Sequence, residues 1–350
     1  MFDIYEDKIR LEACGRSTAF VSRYQDFRYY GSSVTPGTAL AMNVIKPEQP
    51  SPMLVQLHGW HMSMPEPCKR ESPVAGCRYL VVQVDMRGRA FSEGSPDCNG
   101  HELIDIYDAV RFVREQYPDY LSDPGIVHLE GGSGGGGNAL AMINKFPDLF
   151  ASATALYGIS DYAEWYAGDR VGEFRDEMDV WIGSPPWNDA ERYAARSGAY
   201  LAANQLTSLL MAHGSYDERV PVGQSRRYVS AGERAGKEPL IRYVEWPGVG
   251  GFEHTERLPD ASLQAFEQDK ERHRSANARS LEIPRQGVFM IGGYLYTKHF
   301  AVHMEHIDCF ARLVYDLDEG LFRVTAERPY SFRIELADGT VRNGTASVEA

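Results

Sequence analysis

Residues 130–138 read Glu130-Gly-Gly-Ser-Gly-Gly-Gly-Gly-Asn138 and constrain this chain more than any other stretch. They lie between a short apolar run, Gly125–Leu129, and a helix-like run, Ala139–Phe146. A flexible linker is the competing reading, but linkers rarely fall between a buried strand and a helix. A strand, a Gly-x-Ser-x-Gly turn and a helix make a sharp elbow that carries a serine at its tip. The turn leaves little room for side chains around Ser133, whose backbone is expected to be strained so that its Oγ stands clear. Gly131 and Gly135 would let strand and helix pack closely. The amide of Gly134 would be left free to face a developing negative charge.

The pattern on either side agrees with an α/β chain. Phe20–Tyr30 and Ala39–Ile45 read as early antiparallel strands. Met53–Leu57 and Leu80–Val84 are continuous apolar runs of the kind buried in parallel sheets. Leu103, Ile106, Tyr107, Val110, Val113 and Tyr117 recur at helical spacing. Ile126–Leu129, Ala151–Tyr157, Leu206–Ala212 and Leu240–Trp246 follow as further strands. Such alternation predicts a mostly parallel sheet with helices on both faces. Residues 158–205 break the rhythm with Trp165, Tyr166, Trp181 and Trp187, and are expected to form a lid over the sheet's carboxyl edge or an ordinary packing excursion. Asp269–Arg285 is polar. Beyond it Val288–Tyr296, Ala311–Leu317, Leu321–Thr325 and Tyr330–Leu336 resemble short strands. The expected division is therefore a catalytic domain over 1–280, with 158–205 inserted in it, and a β-rich appendage over 286–350.

The chain has 350 residues, 43% hydrophobic, enough for one large core and a small one. Its formal net charge of −13 argues against nucleic acid or an anionic membrane as partner. Cys14, Cys68, Cys77, Cys98 and Cys309 form no Cys-x-x-Cys pair, so a reducing, cytoplasmic setting is expected, with a Cys68–Cys77 bridge as the alternative. Residues 1–8 have neither the basic nor the apolar part of a signal peptide, and no apolar run approaches the ~20 residues of a membrane span.

A serine hydroxyl is a poor nucleophile until a base takes its proton, and that base needs an orienting acid. After the strand Leu206–Ala212 comes His213-Gly-Ser-Tyr-Asp217-Glu-Arg-Val-Pro221, which puts Asp217 in a turn past a strand end. It is the expected acid, with Glu218 its nearest competitor. After Leu240–Trp246 comes Pro247-Gly-Val-Gly-Gly-Phe-Glu-His254, whose histidine has little competition as the base. A transition-state oxyanion needs two backbone N–H donors. Gly134 would give one and Trp60, in His58-Gly59-Trp60-His61, the other. The Trp60 indole would also wall the acyl pocket. His58 is expected to hold its loop by a hydrogen bond, His213 to pack beneath the acid loop, and His128 to face the sheet. Arg87, in Asp85-Met-Arg87-Gly88, would be ion-paired and brace neighbouring loops. His299, His303 and His306, with Glu305 and Asp308, would share a face on a helix and hold zinc, but in a strand His303 and His306 point to opposite faces. A surface or interface role is the expectation there.

These motifs together, His58-Gly59-Trp60, Asp85-Met-Arg87-Gly88, Gly131-Gly-Ser133-Gly-Gly135, His213-to-Pro221 and the late His254, resemble the α/β-hydrolase superfamily. The nearest likeness is to prolyl-oligopeptidase-like serine hydrolases, with the acetyl xylan esterases next. The resemblance covers about residues 20–275. It implies an α/β-hydrolase fold and a Ser133–His254–Asp217 triad that needs no metal or organic cofactor. The expected substrate is a small-molecule carboxylic ester, such as an acetyl group on a sugar, with Trp60, Trp165, Tyr166 and Trp181 as candidate binding residues. A short-peptide amide is the first alternative. A structural or assembly role on a hydrolase scaffold, with residues 286–350 making a homo-oligomer or other assembly contact, is the second.

Overall fold

The computed structural model describes residues 18–169 and 172–348. Residues 1–8, read above for a leader, and Cys14 lie outside them. Eight strands form the central sheet: β1 (Gln25–Gly31), β2 (Ala39–Ile45), β3 (Met53–Leu57), β4 (Leu80–Val84), β5 (Val127–Gly132), β6 (Ser152–Leu156), β7 (Ser208–Gly214) and β8 (Ile241–Trp246). Their spatial order is β1-β2-β4-β3-β5-β6-β7-β8. β2 runs antiparallel to β1 and β4, and every pair from β4 to β8 is parallel. This is the α/β-hydrolase architecture. Parallel register brings the carboxyl ends of β3, β5, β6, β7 and β8 to one edge of the sheet, where ligands sit in open α/β folds.

Among the described residues the α-helices are α1 (Glu102–Gln116), α2 (Gly134–Lys145), α3 (Tyr162–Gly168), α4 (Arg175–Trp181), α5 (Ala190–Arg196), α6 (Gly198–Leu201), α7 (Gly223–Arg234) and α8 (Asp260–Ala276). α1 lays Leu103, Ile106, Val110 and Val113 against the sheet. α2 follows the elbow and is buried on every side. That burial explains its Gly-Ala-Leu-Met-Ile composition, because a helix with no solvent face has no use for a polar stripe.

Two strand readings need correction. Phe20–Tyr30 is not one strand. The chain bends after Phe20, which pairs back on Phe27 as an isolated bridge, and β1 starts at Gln25. Val288–Tyr296 is broken by Gly293, whose φ of 74° suits glycine, into β9 (Gln286–Gly292) and β10 (Tyr294–Tyr296). β11 (Phe300–Met304), β12 (Phe310–Asp316), β13 (Leu321–Ala326), β14 (Ser331–Leu336), β15 (Val341–Thr345) and β16 (Ser347–Val348) complete a second sheet. Of these, β11, β15 and β16 escaped the pattern reading because they are short. β15 pairs with β14, and β16 pairs with β13 at the other edge. Only Ala346 separates β15 from β16, so this last segment pairs with both end strands of the sheet and ties them together. Phe289, Ile291, Leu295, Phe300, Val302 and Leu313 fill its interior.

The second sheet is joined to the first layer by buried polar contacts. Asn204 donates to Met290 O and accepts from Met290 N, both at 2.7 Å, serving as a short stretch of neighbouring strand for β9. Tyr294 Oη donates to Gly100 O, and Arg196 pairs with Asp308. Lys145, 1% exposed, donates to Gly292 O at 2.7 Å and lies 4.3 Å above the Tyr294 ring. Burial, reinforced by the nearby Arg196 charge, pushes its pKa from the ordinary 10.5 down to about 7. Between those values the unfolded chain carries the extra proton, so stability rises with pH by at most about 1.4 kcal/mol per unit. In Lys145→Met this rise is expected to vanish. Thermal unfolding of both proteins from pH 7 to pH 9 checks it, and parallel curves would contradict it.

Candidate functional site

Ser133 occupies φ 55°, ψ −121°, a region L-residues rarely enter. Its N–H still donates to Leu156 O of β6 at 3.0 Å, while its carbonyl already accepts from Gly137 N at 3.0 Å, the first bond of α2. Strand and helix bonding therefore meet on this one residue and hold it in the strained conformation. Glycines make the geometry possible. A Cβ on Gly131 would lie 2.3 Å from Gly135 O, and one on Gly135 2.6 Å from both Leu57 O and His58 O.

The loop after β3 passes over this elbow. A Cβ on Gly134 would sit 2.6 Å from Trp60 N, so the backbones that carry the two amides singled out from sequence pack directly on each other. His58 fixes the loop. It accepts from Met86 N at 3.0 Å through Nε2 and donates to Gly59 O at 2.9 Å through Nδ1. Packing strips water from the ring and, with Arg89 nearby, pushes its pKa down to about 3, so it stays neutral. Arg87 grips Asp105 of α1 through Nε at 2.6 Å and Nη2 at 2.9 Å, bracing the loop after β4.

Asp217 and His254 meet at the ends of β7 and β8. His254 Nδ1 donates to Asp217 Oδ2 at 2.7 Å. Asp217 Oδ1 accepts from Val220 N at 2.9 Å and Arg219 N at 3.1 Å. His213, fully buried below, brings Nε2 within 3.3 Å of Oδ2. Burial raises the carboxyl's pKa, but hydrogen bonds from His213 and His254 outweigh it and hold Asp217 below the usual carboxylate range. Glu218 is exposed. The glycine-rich histidine loop is stitched to the acid loop by Tyr216 N to Val249 O at 2.8 Å and Glu218 N to Gly251 O at 3.2 Å. Gly250, at φ 126°, has no room for a Cβ, which would lie 2.3 Å from Asp217 N.

Tyr157, which sequence reasoning missed, links this pair to the elbow. Its ring lies flat on His254, with centroids 4.5 Å apart and planes 6° apart. The same ring reaches the elbow strand, where its Cε2 would lie 3.0 Å from a Cβ on Gly132. The available signal was its place directly after β6, next to the elbow strand. Of the other histidines, His128 is buried and bonded to Ser152 Oγ at 2.8 Å.

The described part of 158–205 is tied to the loops of this edge by side-chain contacts. Trp60 Nε1 donates to Glu177 Oε2 of α4 at 2.5 Å, and His61 Nε2 lies 2.8 Å from the same oxygen. Arg219 pairs with Glu173 and sits over the rings of Phe174 and Phe252, at 5.5 and 4.7 Å. Two of the expected binding residues are placed elsewhere. Trp165 and Tyr166 are 3% and 4% exposed. Trp165 stacks on Phe174 and donates to Arg219 O, and Tyr166 bonds Asp179. Their faces are spent in a buried cluster with Ile159, Tyr162, Met178 and Tyr193 that also takes in Trp60. Trp60 and Trp181 do border a small cavity beside Gly59 and Gly134.

His299, His303 and His306 do not converge. His299 reaches Glu282, His303 faces Glu335, and His306 lies beside Cys309. Among the described residues no group of three or more His, Cys, Asp or Glu side chains is arranged to hold a metal. Cys68, Cys77, Cys98 and Cys309 are unpaired thiols. No helix among the described residues is long and apolar enough to cross a membrane.

The chain is similar to known proteins in sequence and fold. Residues 70–251, just over half of the chain, match the model of the prolyl oligopeptidase family. The uncharacterized peptidase YuxL of Bacillus subtilis is 26% identical over 201 residues, 55% of this chain and 30% of YuxL. Esterase LipQ of Mycobacterium tuberculosis is 24% identical over 223 residues, 59% of this chain and 51% of LipQ. The chain thus spans about a third to a half of the length of these curated relatives. Among solved structures, an acylaminoacyl peptidase of Pyrococcus horikoshii superposes with a TM-score of 0.58 at 22% identity, over 75% of this chain and 43% of that one. The Pyrococcus furiosus esterase Pf2001 gives 0.53 at 13% identity, over 73% of this chain and 93% of that one. At such identities the superpositions establish the shared fold. With the family model spanning the elbow, the acid loop and most of the glycine run before His254, the chain belongs to the prolyl oligopeptidase family.

Proposed function

We propose that the protein is a serine hydrolase that cleaves carboxylic esters through an acyl-enzyme. Ser133 Oγ attacks the carbonyl carbon and its proton passes to Nε2 of His254. Asp217 accepts the Nδ1–H of His254, which fixes the tautomer and stabilises the imidazolium as it forms. The N–H groups of Gly134 and Trp60 hold the oxyanion. The C–O bond to the leaving group breaks, and His254 returns the proton to the departing alcohol. Water then repeats the cycle on the acyl-enzyme and frees the acid.

The observation that carries this reading is the 2.7 Å Asp217–His254 hydrogen bond, with the His254 ring stacked on Tyr157, whose ring edge reaches Gly132 next to a serine held at φ 55°. Such strain persists only where the surroundings enforce it, and it clusters at reactive sites. The likeness to LipQ supports the ester preference. A sugar as leaving group loses its argument, because Trp165 and Tyr166 are buried in the insertion and offer no face for stacking. The likeness to YuxL supports a second reading, in which the same triad cleaves a short peptide amide.

A panel of p-nitrophenyl esters and aminoacyl-naphthylamides separates the two. The expected result is a kcat/KM for the best ester at least about 100-fold above that of the best amide. Clear preference for an amide would replace the first reading with the second. Turnover of neither would reject both.

A further inference from the structure

The cavity that touches both proposed oxyanion donors is very small. It has a volume of about 20 Å³, room for one water-sized group. Its walls are Gly59, Trp60, Gly134, Arg89, Glu102 and Trp181, with Asn138 among the others. The space that a longer acyl chain would need is already filled by rings. The Trp60 indole lies 4.9 Å from Trp181 at 30° and 4.9 Å from Trp165 edge-on. Arg89 covers Trp181 at 4.9 Å. The indole is also tied down, since its N–H donates to Glu177 at 2.5 Å. The polar part of the lining is committed too. The Glu102 carboxylate accepts from Asn99 N at 2.7 Å and Asn138 Nδ2 at 2.9 Å. An alkyl chain pushed into this recess would have to displace a tryptophan or break into buried, hydrogen-bonded polar groups, and either is costly.

We propose that Trp60 and Trp181 restrict the acyl group to about two carbons, and that Glu177 sets this limit by holding the Trp60 indole in place. The proposal rests on the reading of Ser133 as the nucleophile of an ester hydrolase. The bulk of the Trp60 side chain then determines specificity, while its backbone amide serves the oxyanion. A carbonyl oxygen between the amides of Trp60 and Gly134 leaves its acyl carbon room for a methyl group and little more.

The test measures kcat/KM for p-nitrophenyl acetate, butyrate and octanoate with the wild-type protein, Trp181→Ala and Glu177→Ala. Because one surplus methylene in a tight pocket costs about 10- to 200-fold, the wild type is expected to favour acetate over octanoate by at least about 100-fold. Trp181→Ala should narrow that ratio by about tenfold or more. Glu177→Ala, which frees the indole without opening a hole in the packing, should lower the KM for butyrate relative to acetate. Circular dichroism and the labelling rate of Ser133 by a fluorophosphonate show that each variant keeps its fold and its nucleophile. A wild type that turns over octanoate as fast as acetate overturns the proposal and leaves the hydrolase reading intact. So does an unchanged acetate-to-octanoate ratio in both variants. Failure to turn over any ester or to react with the fluorophosphonate overturns the underlying reading and this proposal with it.

Discussion

Ser133→Ala is expected to abolish ester hydrolysis, with a loss of about 10⁶-fold in kcat, while leaving the fold intact. The magnitude follows from the role proposed for the hydroxyl. Without it no acyl-enzyme forms, and what remains is the small acceleration from oxyanion donors and substrate binding, about 10³- to 10⁴-fold over water. The fold should survive because the elbow is built by backbone. Ser133 N bonds Leu156 O and Ser133 O accepts from Gly137 N, and Ala supplies both groups equally well. The strained φ of 55° penalises Ala and Ser alike. Circular dichroism and thermal unfolding should therefore match the wild type while p-nitrophenyl acetate turnover disappears. A variant that kept full activity would remove Ser133 from the chemistry.

Asp217→Asn should lower kcat by about 10⁴-fold, as expected when the group that orients a catalytic histidine loses its charge and its acceptor. Oδ2 of Asp217 accepts from His254 and lies beside Nε2 of His213, and Oδ1 accepts two loop amides. An amide nitrogen in either position places a donor where a donor already points. His254 must then turn or change tautomer, and Nε2 is no longer presented as a base. The substitution also removes a pH-dependent share of stability. The folded carboxyl titrates below its unfolded value, so its contribution is complete above the unfolded pKa near 4 and disappears as pH falls through the lower folded value. Unfolding curves at pH 7 should show a destabilised variant, and the gap should close in strong acid. A loss in kcat of under tenfold would assign the orienting role to another group.

The parts of the candidate site whose placement was legible in the sequence are those in which the proposed chemistry and the backbone make the same demand. Gly131, Gly134 and Gly135 sit where any Cβ would strike backbone, so the glycine run itself announced the elbow. Asp217 and His254 could be found because parallel strands deliver their loops to one edge, and the runs Leu206–Ala212 and Leu240–Trp246 marked those strands within two residues of their observed bounds. Tyr157 was not legible, because its role depends on a face-to-face contact with a residue nearly a hundred positions away. Trp165 and Tyr166 misled for a related reason. Aromatic content marks either a binding surface or a small core, and only packing against Phe174, Asp179 and Arg219 decides between them. The tie between the end strands of the second sheet was hidden too. It depends on Val341–Thr345 and Ser347–Val348 pairing with different strands, and neither segment is long or apolar enough to announce itself.

The proposed activation of Ser133 by His254 can be read out by treating the protein with a fluorophosphonate and mapping the adduct by peptide mass spectrometry. The hydroxyl oxygen should form a bond to phosphorus as fluoride leaves, giving one adduct per chain on the peptide that carries Ser133. Labelling should slow by at least about 100-fold in His254→Ala, in line with the usual weight of general-base catalysis. Absence of an adduct, modification at another residue, or an unchanged labelling rate without His254 would contradict the account.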